Sequence, residues 1–254
     1  MVSGDSPAHR LEVFFHSLFS VLFPDQCRVC DQPLAEFTRV PVCRSCMDGL
    51  RPLRAAAGLC HLCGIPRQAM MGELCERCAS GEYDFAQARS FGAYEGVLRK
   101  VLHLFKYQGM RLLAAPLAER MARVFNQERW GQAGFHGLVA VPLAPARLRQ
   151  RGYNQAELLA RHLGRRIGLP VLKETCRRVR ATAVQTGLTR PQRLENVRGA
   201  FAPGPRAALV AGRDLLLVDD VLTTGATLSA CARALRQAGA RRVSALTVAR
   251  TLEL

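Results

Sequence analysis

Four Cys-x-x-Cys pairs, Cys27/Cys30, Cys43/Cys46, Cys60/Cys63 and Cys75/Cys78, crowd into one short segment and hold eight of the chain's ten cysteines. Each pair supplies two thiolates from one tight turn, and two such turns complete a tetrahedral Zn²⁺ site. Twelve residues separate Cys30 from Cys43 and eleven separate Cys63 from Cys75. That near-repeat predicts two similar modules, each closing its own metal site. Consecutive pairing fits the spacing best; the alternative is an interleaved arrangement that joins Cys27/Cys30 to Cys60/Cys63. His61 is a further ligand type, expected outside the shell while all eight cysteines are present. With every position filled by cysteine the two zincs are structural, and a segment with so little apolar content needs them to fold. Four disulfides are the competing use of eight cysteines, and a reducing compartment disfavours them.

The chain's 254 residues can be divided between two domains. The expected organisation is a tail and amphipathic helix over 1–23, a double zinc ribbon over 24–80 and a larger domain over 82–254. Leu11, Phe14, Phe15, Leu18 and Leu22 share one helical face, suited to packing on the next domain. Its polar face lacks the Lys and Arg of helices that lie on membranes. No stretch approaches the ~20 apolar residues of a membrane span, and no secretory signal pattern is present, so the expected location is the cytoplasm. Cys176 and Cys231 read as small core residues.

The formal net charge of +16 favours association with polyanions. Only Lys100, Lys106 and Lys173 are lysines, so arginine supplies nearly all of the positive charge, a bias that a GC-rich genome also produces. Beyond Glu82 the chain alternates between strand-like and helical patterns. Phe85 to Tyr94 is strand-like; Val97, Leu98, Val101, Leu102 and Phe105 give a helical face; a second helix runs from about Leu112 to Phe125. Leu138–Val141 is a buried strand, followed by a helix over Gln155–Ile167, a strand near Val171, and further strands at Leu215–Val218 and Val243–Val248. Such alternation predicts an α/β domain with a mainly parallel sheet flanked by helices.

In such sheets ligands gather outside the carboxyl ends of the strands. Leu215–Val218 is a continuous apolar run, as a strand buried on both faces requires. Asp219 and Asp220 stand where that strand is expected to end, then come Thr223, Thr224, Gly225 and Thr227, and then Leu228, Cys231, Ala232 and Leu235 at helical spacing. A polar loop opening a helix is a phosphate cradle: backbone N–H groups converge, the helix dipole adds positive charge, and threonine hydroxyls donate. Two adjacent carboxylates can hold a sugar diol or a hydrated Mg²⁺. VDDVLTTGAT resembles the phosphoribosyl-pyrophosphate (PRPP) loop of type I phosphoribosyltransferases. The resemblance implies that Asp219 and Asp220 hold the ribose hydroxyls and that Thr223, Thr224, Gly225, Ala226 and Thr227 hold the 5′-phosphate, with Val221 and Leu222 linking the two. Thr223 stands where hypoxanthine-type members carry an aspartate, which points away from that activity.

Two more loops are expected at the same end. After Leu138–Val141 come Arg147, Arg149, Arg151, Gly152, Tyr153 and Asn154. Guanidinium groups pair bidentately with pyrophosphate oxygens, and a glycine lets the backbone come close; Arg151 and Gly152 are the leading positions. The segment from Arg177 to Phe201 is polar, long and weakly periodic, which marks either a functional lid or disorder. There Arg180, Thr182, Gln185, Arg193 and Asn196 are candidates to close over pyrophosphate and exclude water.

The cysteine modules, LFKYQGMR at Leu104–Arg111, RGYNQAELLA at Arg151–Ala160, Arg180-x-Thr182 with Gln185, and VDDVLTTGAT occur in that order, and together they are similar to the ComF family. The resemblance implies a double zinc ribbon joined to a type I phosphoribosyltransferase domain that takes PRPP with Mg²⁺, and a role in natural transformation. On this reading the protein handles incoming single-stranded DNA and meets other DNA-uptake proteins. A second expectation is a working phosphoribosyltransferase, with Asp219, Asp220 and Arg151 as its catalytic groups and an unidentified base as acceptor.

Overall fold

The computed structural model describes residues 26–34, 40–54, 58–67, 72–81, 83–180 and 190–252, with backbone alone at Arg190, Pro191, Arg193 and Leu194. The helix expected over Leu11 to Phe23 lies outside them. Two compact units are present, Met1–Leu50 and Arg51–Leu254.

In the first unit the Asp31 N–H donates to the Cys27 carbonyl (2.8 Å) and the Cys27 N–H to the Gln32 carbonyl (2.9 Å), closing a knuckle. Helix α1 (Arg44–Asp48) begins directly after Cys43. The second unit repeats the device: Gly64 N–H to the Cys60 carbonyl (2.9 Å), Cys60 N–H to the Ile65 carbonyl (2.8 Å), and helix α2 (Glu76–Ala79) after Cys75. The sulfurs of Cys27, Cys30, Cys43 and Cys46 all lie within 4.8 Å of one another, as do those of Cys60, Cys63, Cys75 and Cys78. Consecutive pairs therefore share a site. Four thiolates ~2.3 Å from one zinc stand about 3.8 Å apart. The Sγ–Sγ separations are close to that: 3.7 Å for Cys30–Cys43, 3.7 Å for Cys63–Cys75 and 3.9 Å for Cys27–Cys46. Burial opposes ionisation of Cys27 and Cys60. Backbone N–H groups aimed at their sulfurs, Cys43 at 3.2 Å and Cys75 at 3.3 Å among them, outweigh it and bring both thiols down to about 6. His61 stays out of the shell, its Nδ1 3.6 Å from Glu73 Oε2.

The rest of the second unit comprises β1 (Ala88–Ala93), α3 (Gly96–Tyr107), α4 (Ala114–Gln127), β2 (Gly137–Ala140), α5 (Pro145–Arg151), α6 (Gln155–Ile167), β3 (Cys176–Arg178), α7 (Arg190–Val197), β4 (Phe201–Pro203), β5 (Asp214–Leu222), α8 (Ala226–Gln237) and β6 (Arg242–Arg250). Four strands form the expected parallel sheet, in the order β1-β6-β5-β2. The strand expected near Val171 is reduced to one parallel bridge with Leu138, because Pro170 has no N–H with which to extend the ladder. β3 and β4 pair antiparallel apart from the main sheet, which alternation alone does not predict.

Side chains of a strand alternate between its faces. Leu215 and Leu217 of β5 join Val139, Val243 and Ala245 in one core cluster with Leu228, Cys231, Ala232 and Leu235 of α8. Leu216 and Val218, also fully buried, take the opposite parity, toward the side packed by α4 and α6. Two local readings are corrected. β5 does not stop before the aspartates but runs on to Leu222, because β6 continues beside it: Asp219 pairs with Thr247, Val221 with Ala249 and Leu222 with Arg250. The arginine segment after β2 is helix α5 rather than a loop, started by Pro145 at its first position and ended by Gly152 at φ 72°, the left-handed stop that glycine adopts readily.

Because each unit closes its own cysteine site, replacing Cys43 by Ser should lower the zinc content of the purified chain from two ions to one. Atomic absorption checks this; two ions retained would remove Cys43 from the ligand set.

Candidate functional site

Beyond the carboxyl ends of β5 and β2 lies a cavity of about 590 Å³, within the ~300–1,000 Å³ range of small-molecule sites. The alternation of β5 sends its two aspartates to opposite sides of the sheet end. Asp220, buried, faces α3, where Lys106 Nζ lies 2.8 Å from its Oδ1 and 5.9 Å from the Tyr94 ring centroid. Asp219 takes the other parity, toward α8 and β3, and its Oδ1 accepts the Asp220 N–H at 2.8 Å. Burial and the neighbouring Asp220 charge push Asp219 up to about 7, against the Asp220 N–H, Lys106 and Arg178. Burial works to depress Lys106, but Asp220 and Asp219 outweigh it and hold the ammonium above its ordinary value.

Every other charged side chain on the described cavity wall is basic: Arg99, Lys106, Arg147, Arg151 and Arg178 face two carboxylates. Burial, with Arg147 beside it, lowers Arg178, whose guanidinium lies over the Phe201 ring at 5.2 Å. Arg151 stacks on Tyr107 at 4.8 Å and donates to Gln155 Oε1 at 3.1 Å. Two buried donors on this wall, Arg147 Nη2 and Gln155 Nε2, have no acceptor among the described residues. Buried donors of this kind are normally satisfied, and a polyanion brings the acceptors. Such a donor set fits the doubly charged ends of a phosphoribosyl ligand, and the aspartates fit a sugar diol or a hydrated Mg²⁺.

The loop expected to cradle phosphate lies where β5 gives way to α8. Val221, Leu222, Thr223, Gly225 and Thr227 line the cavity, whereas Thr224 and Ala226 turn away from its wall. Gly225 caps α8 at φ 83°. Gly152 lies behind Arg151 and offers its carbonyl to Arg111 Nη2 at 3.2 Å. The lid candidates are placed differently. Arg180 donates to the carbonyls of Asn196 (3.2 Å) and Arg198 (2.6 Å), so its guanidinium ties β3 to the end of α7. Asn196, in α7, is not on the cavity wall. Gln185 and the Arg193 side chain lie outside the described residues. The sequence reading missed Lys106 and Arg178 as site residues; the place of Lys106 within LFKYQGMR, at the last turn of a helix, was the available signal for it.

The phosphoribosyl transferase domain family matches residues 113–253, and the double zinc ribbon domain family matches residues 18–79. DNA utilization protein YhgH of Salmonella typhimurium (strain LT2) is 32% identical over 232 residues, which cover 90% of this chain and 98% of that protein. The chain belongs to the ComF family. Two further relatives agree with that membership. Competence protein F of Haemophilus influenzae is 32% identical over 75% of this chain and 84% of its own length. Competence protein ComFC of Bacillus subtilis is 26% identical over 83% and 84%. In this ComF chain no helix of the described residues is long and apolar enough to cross a membrane.

The paired carboxylates generate a titration test. In the wild-type protein the Asp219 carboxyl should titrate near pH 7, followed by carbon-13 NMR. Lys106→Met removes a positive charge that favours the ionised form, so the midpoint should rise. An unchanged or lowered midpoint would show that Lys106 does not act on the pair.

Proposed function

We propose that this ComF protein binds PRPP with Mg²⁺ in the cavity at the end of β5 and β2 and acts in the cytoplasm during natural transformation, where it handles incoming single-stranded DNA. The observation that carries the ligand assignment is the carboxylate pair Asp219 and Asp220, set between basic walls at the mouth of a strand-to-helix phosphate loop. In this reading Asp219 and Asp220 accept the ribose 2′- and 3′-hydroxyls, and Thr223, Gly225 and Thr227 receive the 5′-phosphate at the positive end of α8. Arg147, Arg151 and Arg178 take the pyrophosphate. Asp219 and Asp220 would hold Mg²⁺, directly or through its waters, and the ion would supply neutralising charge to the ligand. Lys106 holds Asp220 until the sugar hydroxyls replace it. The names of the relatives, DNA utilization and competence proteins, support the DNA-handling role, and the chain's +16 charge suits a polyanionic strand.

A second reading, phosphoribosyl transfer, is favoured by the aromatic walls. Tyr94 and Tyr107 line the cavity beside the sugar site and offer surface to a planar base. Transfer would break the bond from ribose C1 to the pyrophosphate oxygen and form one from C1 to a base nitrogen. Positive charge building on the ring would be stabilised by the aspartates, and the leaving pyrophosphate by the arginines.

Calorimetric titration of zinc-loaded protein with PRPP and Mg²⁺, with and without single-stranded DNA, tests both readings when the same samples are assayed for pyrophosphate. Binding that is coupled to DNA without pyrophosphate release supports the DNA-handling role. Release that requires an added base supports transfer. The double change Asp219→Ala with Asp220→Ala should abolish PRPP binding while circular dichroism stays native; undiminished affinity would remove the site assignment.

A further inference from the structure

The residues between the second cysteine site and β1 touch the phosphate loop from behind. Tyr83 is half-buried and packs against the cluster formed by Cys60, Cys63, Ile65, Cys75 and Cys78. Its ring stacks on Phe85 at 4.7 Å, and its hydroxyl donates to the Thr224 carbonyl at 2.9 Å. The same ring closes the space beside Gly225, where an added Cβ would come within 2.5 Å of Tyr83 Cε1. Neither Tyr83 nor Thr224 reaches the cavity wall, whereas Gly225 does.

The geometry of the peptide bond gives this contact a direction. In a planar trans peptide the carbonyl of one residue and the N–H of the next point opposite ways. With the Thr224 carbonyl turned back onto Tyr83, the Gly225 N–H is directed away from Tyr83, and Gly225 is on the cavity wall. One hydroxyl thus orients the plane that presents a backbone donor. Asp84 fixes the helix that follows: its N–H donates to Ser229 Oγ at 3.0 Å. Its carboxylate accepts from Ser229 Oγ at 2.7 Å and from Arg233 at 2.8 and 3.1 Å, so that, against partial burial, it is held below its ordinary value. On the metal side the knuckle is stitched to the sheet by the Ala88 N–H on the Leu62 carbonyl (2.6 Å) and by the Arg250 guanidinium on the Cys63 carbonyl.

We propose that Tyr83 is a positioning residue for the 5′-phosphate donors and that the second cysteine site, by holding Tyr83, sets the cavity's affinity for a sugar phosphate. This rests on the PRPP reading of the cavity. The set Cys60, Cys63, Cys75 and Cys78 fits zinc in number and spacing, and the metal enters here only as the clamp on the knuckle that Tyr83 packs against. The pyrophosphate arginines stand on α5 and β3, outside this chain of contacts, so the two ends of the ligand respond differently.

The test titrates zinc-loaded full-length protein separately with ribose 5-phosphate, with inorganic pyrophosphate and with PRPP plus Mg²⁺. Tyr83→Phe keeps the ring beside Gly225 and removes only the hydroxyl. The expected result is an affinity for ribose 5-phosphate and PRPP weaker by about three- to tenfold, the scale of one hydrogen bond, with pyrophosphate affinity and two zincs per chain unchanged. Cys75→Ser should reproduce the selective loss, and adding Tyr83→Phe to it should cost little more. Equal ribose 5-phosphate affinity in wild type and Tyr83→Phe overturns the proposal, as does a loss shared equally by pyrophosphate, the mark of general loosening. If zinc-loaded wild type binds neither ribose 5-phosphate nor PRPP, the reading of the cavity fails first and the proposal with it.

Discussion

The pairing of β5 with β6 beyond Val218 is the interaction on which the cavity depends. It carries the strand four residues further than its apolar run, so two acidic residues sit in rigid, hydrogen-bonded backbone rather than in a loop. Strand alternation then does what a loop cannot do reliably: it sends Asp219 and Asp220 to different sides of the sheet. Lys106 from α3 pairs with Asp220, while Asp219 feels the charges of both Lys106 and Arg178 from β3. The pair is thereby spread across the sheet end rather than stacked on one face, which limits its mutual repulsion and sets its reach.

Electrostatically the site is lopsided by construction. Five basic groups on the wall face two acidic ones, and the basic groups come from α3, α5 and β3, three separate pieces of chain converging on one strand end. A cavity of that kind concentrates anions while keeping one spot suited to hydroxyls or a cation. Lys106 belongs to both functions: it neutralises Asp220 in the absence of a ligand and adds to the positive field in its presence. Tyr153 helps to hold α3 in place, since its hydroxyl donates to the Phe105 carbonyl, one residue from Lys106.

Much of this was legible in the residue order. The paired cysteines named their own partners once consecutive spacing was taken seriously, because metal closure is local. The apolar run before Asp219 and the glycine and threonines after it announced the strand, loop and helix, and Arg147 and Arg151 line the same cavity as Thr227 of that loop. What was not legible came from long-range pairing. Nothing near Asp219 says that Thr247 to Arg250 will extend the strand beside it. Arg178 looked like the start of a lid, yet the antiparallel pairing of β3 with β4 turns it into the cavity wall. Lys106 reads as an ordinary helix-terminal lysine until α3 is placed over Asp220. Arg180, by contrast, had the composition of a ligand-binding group and is occupied in tying backbone carbonyls.

The two cysteine knuckles are near copies in backbone, down to a left-handed residue after the second cysteine, Asp31 in one and Gly64 in the other. They belong to different compact units. Among the described residues the first is accompanied by the buried Val29, Val42 and Leu50. The second shares backbone hydrogen bonds and packing with the sheet. Cooperativity follows compactness rather than sequence similarity, so duplicate modules here melt as parts of unlike bodies. A single unfolding temperature is then not a property of this chain: one knuckle reports on the equilibrium of its own unit, its twin on the stability of the unit that carries the parallel sheet.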